Sequence, residues 1–192
     1  YNGFLYAIGG SNSSGVPQTS VYIAKIGANG EPQLWHPTGG SPVYWYSSGS
    51  LPNARSKFGA VAYNNKLYIL GGLTTATTLL TTNTTQAADI NPSGGLSSWT
   101  SSGMTALSTP RYGLSAQAYN DTIYVIGGNE SFTGTPVTKV QYSKLSPSGN
   151  MNAWVDTNSL INSGRMTMGG VFSTIFGGYV YVAGGCSALN GS

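Results

Sequence analysis

The sequence predicts an all-β chain. Short antiparallel strands form a unit that occurs three times and is followed by one more hairpin. Three observations carry this prediction. A hydrophobic segment ending in Gly-Gly occurs four times, a Gly-turn followed by Trp occurs three times, and an Arg precedes a small-residue strand in each unit. No helix-period pattern competes with them.

The first element spans Tyr1–Gly10, Tyr63–Gly72, Tyr119–Gly128 and Phe176–Gly185, so its copies start at nearly even intervals. Asn2-Gly3, Asn64-Asn65, Asn120-Asp121 and Gly177-Gly178 all tolerate positive φ. A two-residue hairpin turn of type I′ requires that at both central positions. The runs that follow, such as Leu67-Tyr68-Ile69-Leu70 and Ile123-Tyr124-Val125-Ile126, have strand composition. They are apolar at nearly every position, which predicts burial on both faces. The closing Gly-Gly marks a sharp turn or a close approach of another strand.

The second element spans Ile26–Trp35, Ile90–Trp99 and Leu145–Trp154, each with a Gly midway between the aliphatic and the Trp: Gly30, Gly94 and Gly149. The pattern reads as strand, turn, strand. The incoming strands are Val21–Ile26, Gln86–Ile90 and Val137–Leu145. Trp35, Trp99 and Trp154 open the outgoing strands and are expected to pack between neighbouring sheets.

The third element is Arg55, Arg111 and Arg165, standing before the strands Phe58–Tyr63, Gly113–Tyr119 and Gly170–Phe176. The interval from Arg to Gly-Gly is the same for Arg55 to Gly71 and Arg111 to Gly127, and slightly longer for Arg165 to Gly184. Because these arginines recur with the repeat, they are read as structural anchors. Their planar forks would hold backbone carbonyls from blade to blade.

Four short strands at this period are the signature of a β-propeller blade. The chain reads as one propeller segment over 1–192, with repeats at approximately 1–62, 63–118 and 119–175 and the start of a further blade at 176–192. That is about three blades plus a hairpin, fewer than the roughly four to eight of a closed propeller. A partial propeller leaves open edges. The expectation is that further blades of the same chain, or a second copy, close it.

These residues resemble the kelch repeat family. The likeness rests on the Gly-Gly runs, the downstream Trp35, Trp99 and Trp154, and the Arg before each inner strand, over essentially the whole chain. The third strand departs from common kelch repeats: an aliphatic, a Gly-turn and a Trp stand where a Tyr would precede the Trp. In this the chain is more similar to the divergent kelch-like propellers of bacterial surface and secreted proteins. That resemblance implies a binding or structural role outside the cell.

Composition sets limits on function. Charged residues are 7% of the chain, against about 25% in ordinary globular domains. With 40% hydrophobic residues and a net charge of +3, this is not the signature of disorder. The eight cations are scattered, the closest pair being Arg55 and Lys57. A nucleic-acid surface needs a concentrated basic face. No apolar run reaches the roughly 18 residues of a membrane span. The single Cys186 excludes an internal disulfide.

Catalysis requires convergent titratable groups. The chain offers His36, Cys186, Glu31, Asp89, Asp121, Glu130 and Asp156, with no two carboxylates at equivalent positions of successive units. No Cys/His spacing suits zinc. No catalytic residue, cofactor or metal is therefore assigned. His36 reads as an edge residue after Trp35, and Cys186 as a small turn or core residue.

One feature breaks the repeat. The stretches from Trp99 to Arg111 and from Trp154 to Arg165 are almost equal in length, but that from Trp35 to Arg55 is far longer. The inserted stretch carries Tyr44, Trp45 and Tyr46 on a surface connection. Aromatic faces with polar tips suit sugars or protein partners, so these three are the candidate ligand-binding residues. The alternative is that the rings fold back on their own blade. The Thr-rich connection 73–85 is compatible with O-glycosylation or with a plain loop.

The leading expectation is a non-catalytic extracellular or cell-surface propeller that binds a protein or a glycan. Two alternatives stay open. One is a segment of a secreted carbohydrate-active or galactose-oxidase-like propeller enzyme with its catalytic residues in other blades. The other is an intracellular interaction scaffold.

Overall fold

The computed structural model describes residues 1–36, 41–75, 80–131, 136–157 and 166–186, with 166–172 described by backbone alone. The described residues form antiparallel β-sheets, with no helix among them. Sheet 1 contains β1 (Phe4–Ile8), β2 (Gln18–Ile26), β3 (Pro32–Gln33) and β4 (Tyr46–Arg55). Sheet 2 orders β5 (Gly59–Tyr63), β6 (Lys66–Leu70) and β7 (Thr85–Asp89). Sheet 3 orders β8 (Ser115–Tyr119), β9 (Thr122–Ile126), β10 (Val140–Lys144) and β11 (Val155–Asp156). Sheet 4 pairs β12 (Met166–Phe176) with β13 (Tyr179–Cys186).

The hairpin turns take the predicted backbone. Asn64 and Asn65 lie at φ 46° and 56°, Asn120 and Asp121 at 47° and 52°, and Gly177 and Gly178 at 58° and 81°. In two hairpins the turn fixes the register Tyr63↔Lys66 and Tyr119↔Thr122. The four-strand expectation holds in full only in sheet 3. In sheet 2 the fourth position shrinks to Thr100, which exchanges two 2.9 Å backbone hydrogen bonds with Ala87.

Sheet 1 reaches four strands by another route. Residues 46–55 read as part of a connection, yet they form β4, a long strand on β2. Strand β2 is shared: Lys25 and Ile26 pair with β3, while its Gln18–Ile23 stretch pairs with β4. The β4 register is irregular, and Gly49, at φ 90°, lies where it shifts. Such a shift is what a bulge built on Gly allows.

Double burial depends on having neighbours on both sides. Leu67 to Leu70 are all buried, as are Ile123, Val125 and Ile126. One core cluster joins Val21 and Leu51 of sheet 1 to Ile69 of sheet 2. The other joins Tyr68, Leu70 and Ala87 of sheet 2 to Leu114, Ile123 and Val125 of sheet 3. Ser115 and Gln117 tie sheet 3 to Ser173 of sheet 4, both at 2.7 Å. The outer sheets are covered on one side, so Leu5 and Tyr181 remain 48% and 52% exposed. For these two copies the expectation of burial on both faces is not met.

Tyrosines stitch one sheet to the next. The Tyr6 hydroxyl donates to Gly94 O at 2.9 Å, and Tyr68 to Gly149 O at 3.0 Å. Burial, with Asp89 and Tyr63 adding to it, pushes the Tyr68 hydroxyl up to about 12. The folded chain thus holds this proton more tightly than the unfolded chain, in which Tyr ionises near 10. The contribution is complete below about pH 10 and is lost as pH rises toward about 12. Urea-unfolding midpoints should fall across that window. Tyr68→Phe should flatten the fall and remove about 1 kcal/mol at neutral pH, the worth of one hydrogen bond.

Candidate functional site

Arg55 and Arg111 are each 1% exposed. Arg55 Nη1 donates to Gly71 O and Thr84 O, both at 3.0 Å, and Nη2 donates to Thr84 Oγ1 at 2.7 Å. Arg111 Nη1 donates to Gly127 O at 3.2 Å, and its Nη2 faces Glu130 Oε1 at 3.7 Å. Burial lowers both guanidinium pKa values, that of Arg55 to about 10, while Glu130 and Asp156 oppose the shift at Arg111. Arg55 therefore stays charged at neutral pH. These forks hold carbonyls at the Gly-Gly of the sheet that follows each Arg in sequence. The main chain does the rest: Arg55 O accepts from Gly10 N at 2.9 Å within sheet 1, and Arg111 O accepts from Gly72 N of sheet 2 at 2.7 Å. Arg165 lies outside the described residues.

The tryptophans take different neighbours. Trp99 packs with Val21 and Leu51 of sheet 1 and Ile69 of sheet 2. Trp154 packs in the cluster between sheets 2 and 3 and donates from Nε1 to Thr105 O at 2.9 Å. Trp35 stays within sheet 1, its ring 5.4 Å from Phe4 and 6.2 Å from Tyr46.

The aromatic triplet divides. Tyr46 opens β4, is half-buried, and sets its ring edge against Trp35 and against His36 at 5.0 Å. Tyr44 and Trp45 precede the strand and are 55% and 44% exposed. One ring has folded back on its own sheet and two face solvent. Exposed rings of this kind can stack on a sugar face or cover an apolar side chain of a partner.

Each carboxylate has a local partner. Glu31 accepts from Asn29, Asp89 pairs with Lys66, and Asp121 accepts from Tyr63 and Asn64. Glu130 accepts from Thr109, and Asp156 accepts from Gln141 and faces Lys139. Among the described residues no three His, Cys, Asp or Glu gather as a metal set. Cys186 ends β13 and is exposed, in place of the turn or core position expected.

Sequence reasoning missed one set of contacts. Tyr1 OH donates to Asn65 Oδ1 at 3.1 Å and accepts from Asn65 N at 2.8 Å. Tyr63 repeats this on Asp121, at 3.2 and 3.0 Å. The signal was present: an aromatic residue before each turn, and Asn or Asp at the second turn position of the following unit.

Four substitutions separate these roles. Arg55→Ala should cost at least about 3 kcal/mol, because several buried acceptors lose their donor. Arg55→Lys should recover only part, since an ammonium lacks the planar fork. Trp45→Ala should stay within about 0.5 kcal/mol of the unaltered chain. Tyr46→Ala should cost about 1 kcal/mol or more by removing two ring contacts. Denaturant titrations would read all four.

No family model matches the chain, and no curated protein does. Among solved structures the chain is similar to that of YjhT, with a TM-score of 0.64 at 16% sequence identity. The match covers 95% of this chain and 56% of YjhT, so the chain spans little more than half of YjhT's length. At that identity the likeness concerns the fold alone.

Proposed function

We propose that the chain forms successive blades of a kelch-like β-propeller and serves as a non-catalytic binding module on the outside of the cell. Its partner is a protein or a glycan, taken through the connection that carries Tyr44 and Trp45. The observation that carries this reading is the exposure of those two rings at the place where the spacing departs from the repeat.

The propeller reading is supported by the way the sheets follow one another. Strand β8 lies against β5 on one side and β12 on the other, and these open sheets 3, 2 and 4 respectively. The Tyr–Asn/Asp bonds recur from one sheet junction to the next. Exposed Phe176, Tyr179 and Tyr181 on sheet 4 are apolar surface that a further blade, or a second copy, would cover. A location outside the cell is supported by composition: few charges, with Ser, Thr, Asn and Gly in their place. No described helix is long and apolar enough to cross a membrane.

The alternative reading is a segment of a larger secreted propeller enzyme.

A glycan array and a pull-down from extracellular extract, run with the full chain and with Trp45→Ala, test the proposal. At least a tenfold loss of affinity is expected for the variant, about 1.4 kcal/mol. Equal binding by both proteins would remove the site from the aromatic connection. Turnover of a bound glycan would replace the binding role with the enzyme reading.

A further inference from the structure

The two inner sheet junctions are built alike but differ at one place. Between sheets 2 and 3, the connection 101–111 closes down on sheet 3. Thr105 O accepts from Trp154 Nε1, Thr105 Oγ1 donates to Met151 O at 2.9 Å, and Met104 packs against the core. Between sheets 1 and 2 the corresponding stretch is β4, drawn away onto β2. There Ser48 Oγ accepts from Leu96 N at 3.3 Å, while Trp99 Nε1, the counterpart of Trp154 Nε1, is buried with no acceptor.

A groove of about 370 Å³ is left between β4 and sheet 2, lined among others by Ser48, Ser50, Pro52, Leu96, Ser98 and Trp99. No charged side chain lines it. Its walls combine hydroxyls, which both donate and accept, with the apolar surfaces of Pro52, Leu96 and an indole. That combination matches a molecule with hydroxyls on its rim and C–H groups on its face. Such a molecule carries no net charge. The volume is at the lower end of the roughly 300–1,000 Å³ of small-molecule sites, which suits one or two sugar rings. Ser48 is three residues beyond Trp45 on an extended strand, about 10 Å away. A chain of sugars can therefore touch both.

We propose that this groove is a subsite for one or two residues of a neutral saccharide, continuous with the exposed Tyr44 and Trp45 rings. The proposal rests on the glycan form of the binding role above.

The test is a titration of the ¹⁵N-labelled full chain with lactose, maltose, cellobiose, mannobiose and diacetylchitobiose, and with sialyllactose as the charged comparison. The indole N–H signals are assigned from Trp99→Phe and Trp154→Phe. The expected result is that at least one neutral disaccharide shifts the Trp99 signal and leaves Trp154 unmoved. Ser98→Phe and Ser50→Phe, which fill the groove from opposite walls at exposed positions, should each weaken that binding at least tenfold without lowering the melting temperature. If a disaccharide binds and only Trp45→Ala weakens it, the groove is not a subsite, and the aromatic connection alone carries the binding role. Preference for sialyllactose over lactose would overturn the neutral ligand. If no sugar of the panel shifts any signal, both the subsite and the glycan form of the role fall, and a protein partner remains.

Discussion

The placement of β4 in sheet 1, and of sheet 3 against sheet 2, depends on one kind of main-chain contact. The first Gly of each Gly-Gly sits in the left-handed region, Gly9 at φ 52° and Gly71 at φ 62°. A methyl group at Gly9 or Gly71 would collide with the carbonyl oxygen of Arg55 or Arg111 in the adjoining segment. The second Gly then donates its N–H to that same oxygen. Backbone thus meets backbone with no side chain between, which only Gly permits. Much else follows from that closeness. Two pleated faces brought so near exclude water, so Leu67–Leu70 can be apolar on both sides. With its carbonyl turned to Gly10 of its own sheet, Arg55 turns its guanidinium into sheet 2. There it meets Gly71 O and Thr84 O, carbonyls at the end of the strand pair β6 and β7. A buried cation is costly without a partner. Here carbonyl and hydroxyl oxygens stand in for a carboxylate.

The hairpin ends show how a turn residue acquires a second duty. Asp121 must accept positive φ, which Asn, Asp or Gly tolerate. It also receives Tyr63 OH and Asn64 Nδ2 on Oδ1, while its own N–H donates back to Tyr63. Turn chemistry alone therefore accounts for the residue's backbone but not for its carboxylate. In the last copy the position is Gly178, which keeps the turn and has no side chain to receive Tyr119. Sheet 4 is joined to sheet 3 through Ser173 and the backbone of β12 instead.

What was legible in the sequence is what depends on local chemistry. The sign of φ at Asn64-Asn65 and the strand character of Ile123–Ile126 follow from the residues themselves, and both are found. What was not legible depends on neighbours. Val180-Tyr181-Val182 reads like its buried counterparts, yet Val180 and Tyr181 are exposed because nothing described covers that face. Strand β4 reads as a loop, since Ser, Gly, Pro and Asn are poor strand formers. It forms because β2 runs past the short β3 and offers unpaired backbone along Gln18–Ile23. The recurrence of Arg was visible, but not the division of labour: the fork of Arg55 reaches from sheet 1 to sheet 2, whereas at Arg111 it is the carbonyl that reaches back to sheet 2. The triplet Tyr44-Trp45-Tyr46 stood out, but which ring turns inward is decided by where β4 begins.

A junction held by Gly and by one carbonyl places few demands on the connections between sheets. The stretch from Trp35 to Arg55 is much longer than that from Trp99 to Arg111, yet Arg55 O still meets Gly10 N as Arg111 O meets Gly72 N. The insertion is absorbed before the contact that sets the spacing. Long connections add little closure entropy, since that cost rises only slowly with length. The same extra length lets β4 pair with β2 and leave the neighbouring Trp99 without the carbonyl that Trp154 finds at Thr105. Variation is therefore tolerated where it exposes aromatic rings and opens a groove. It is excluded at the glycines, where a single methyl group would collide with the carbonyl oxygen of Arg55 or Arg111.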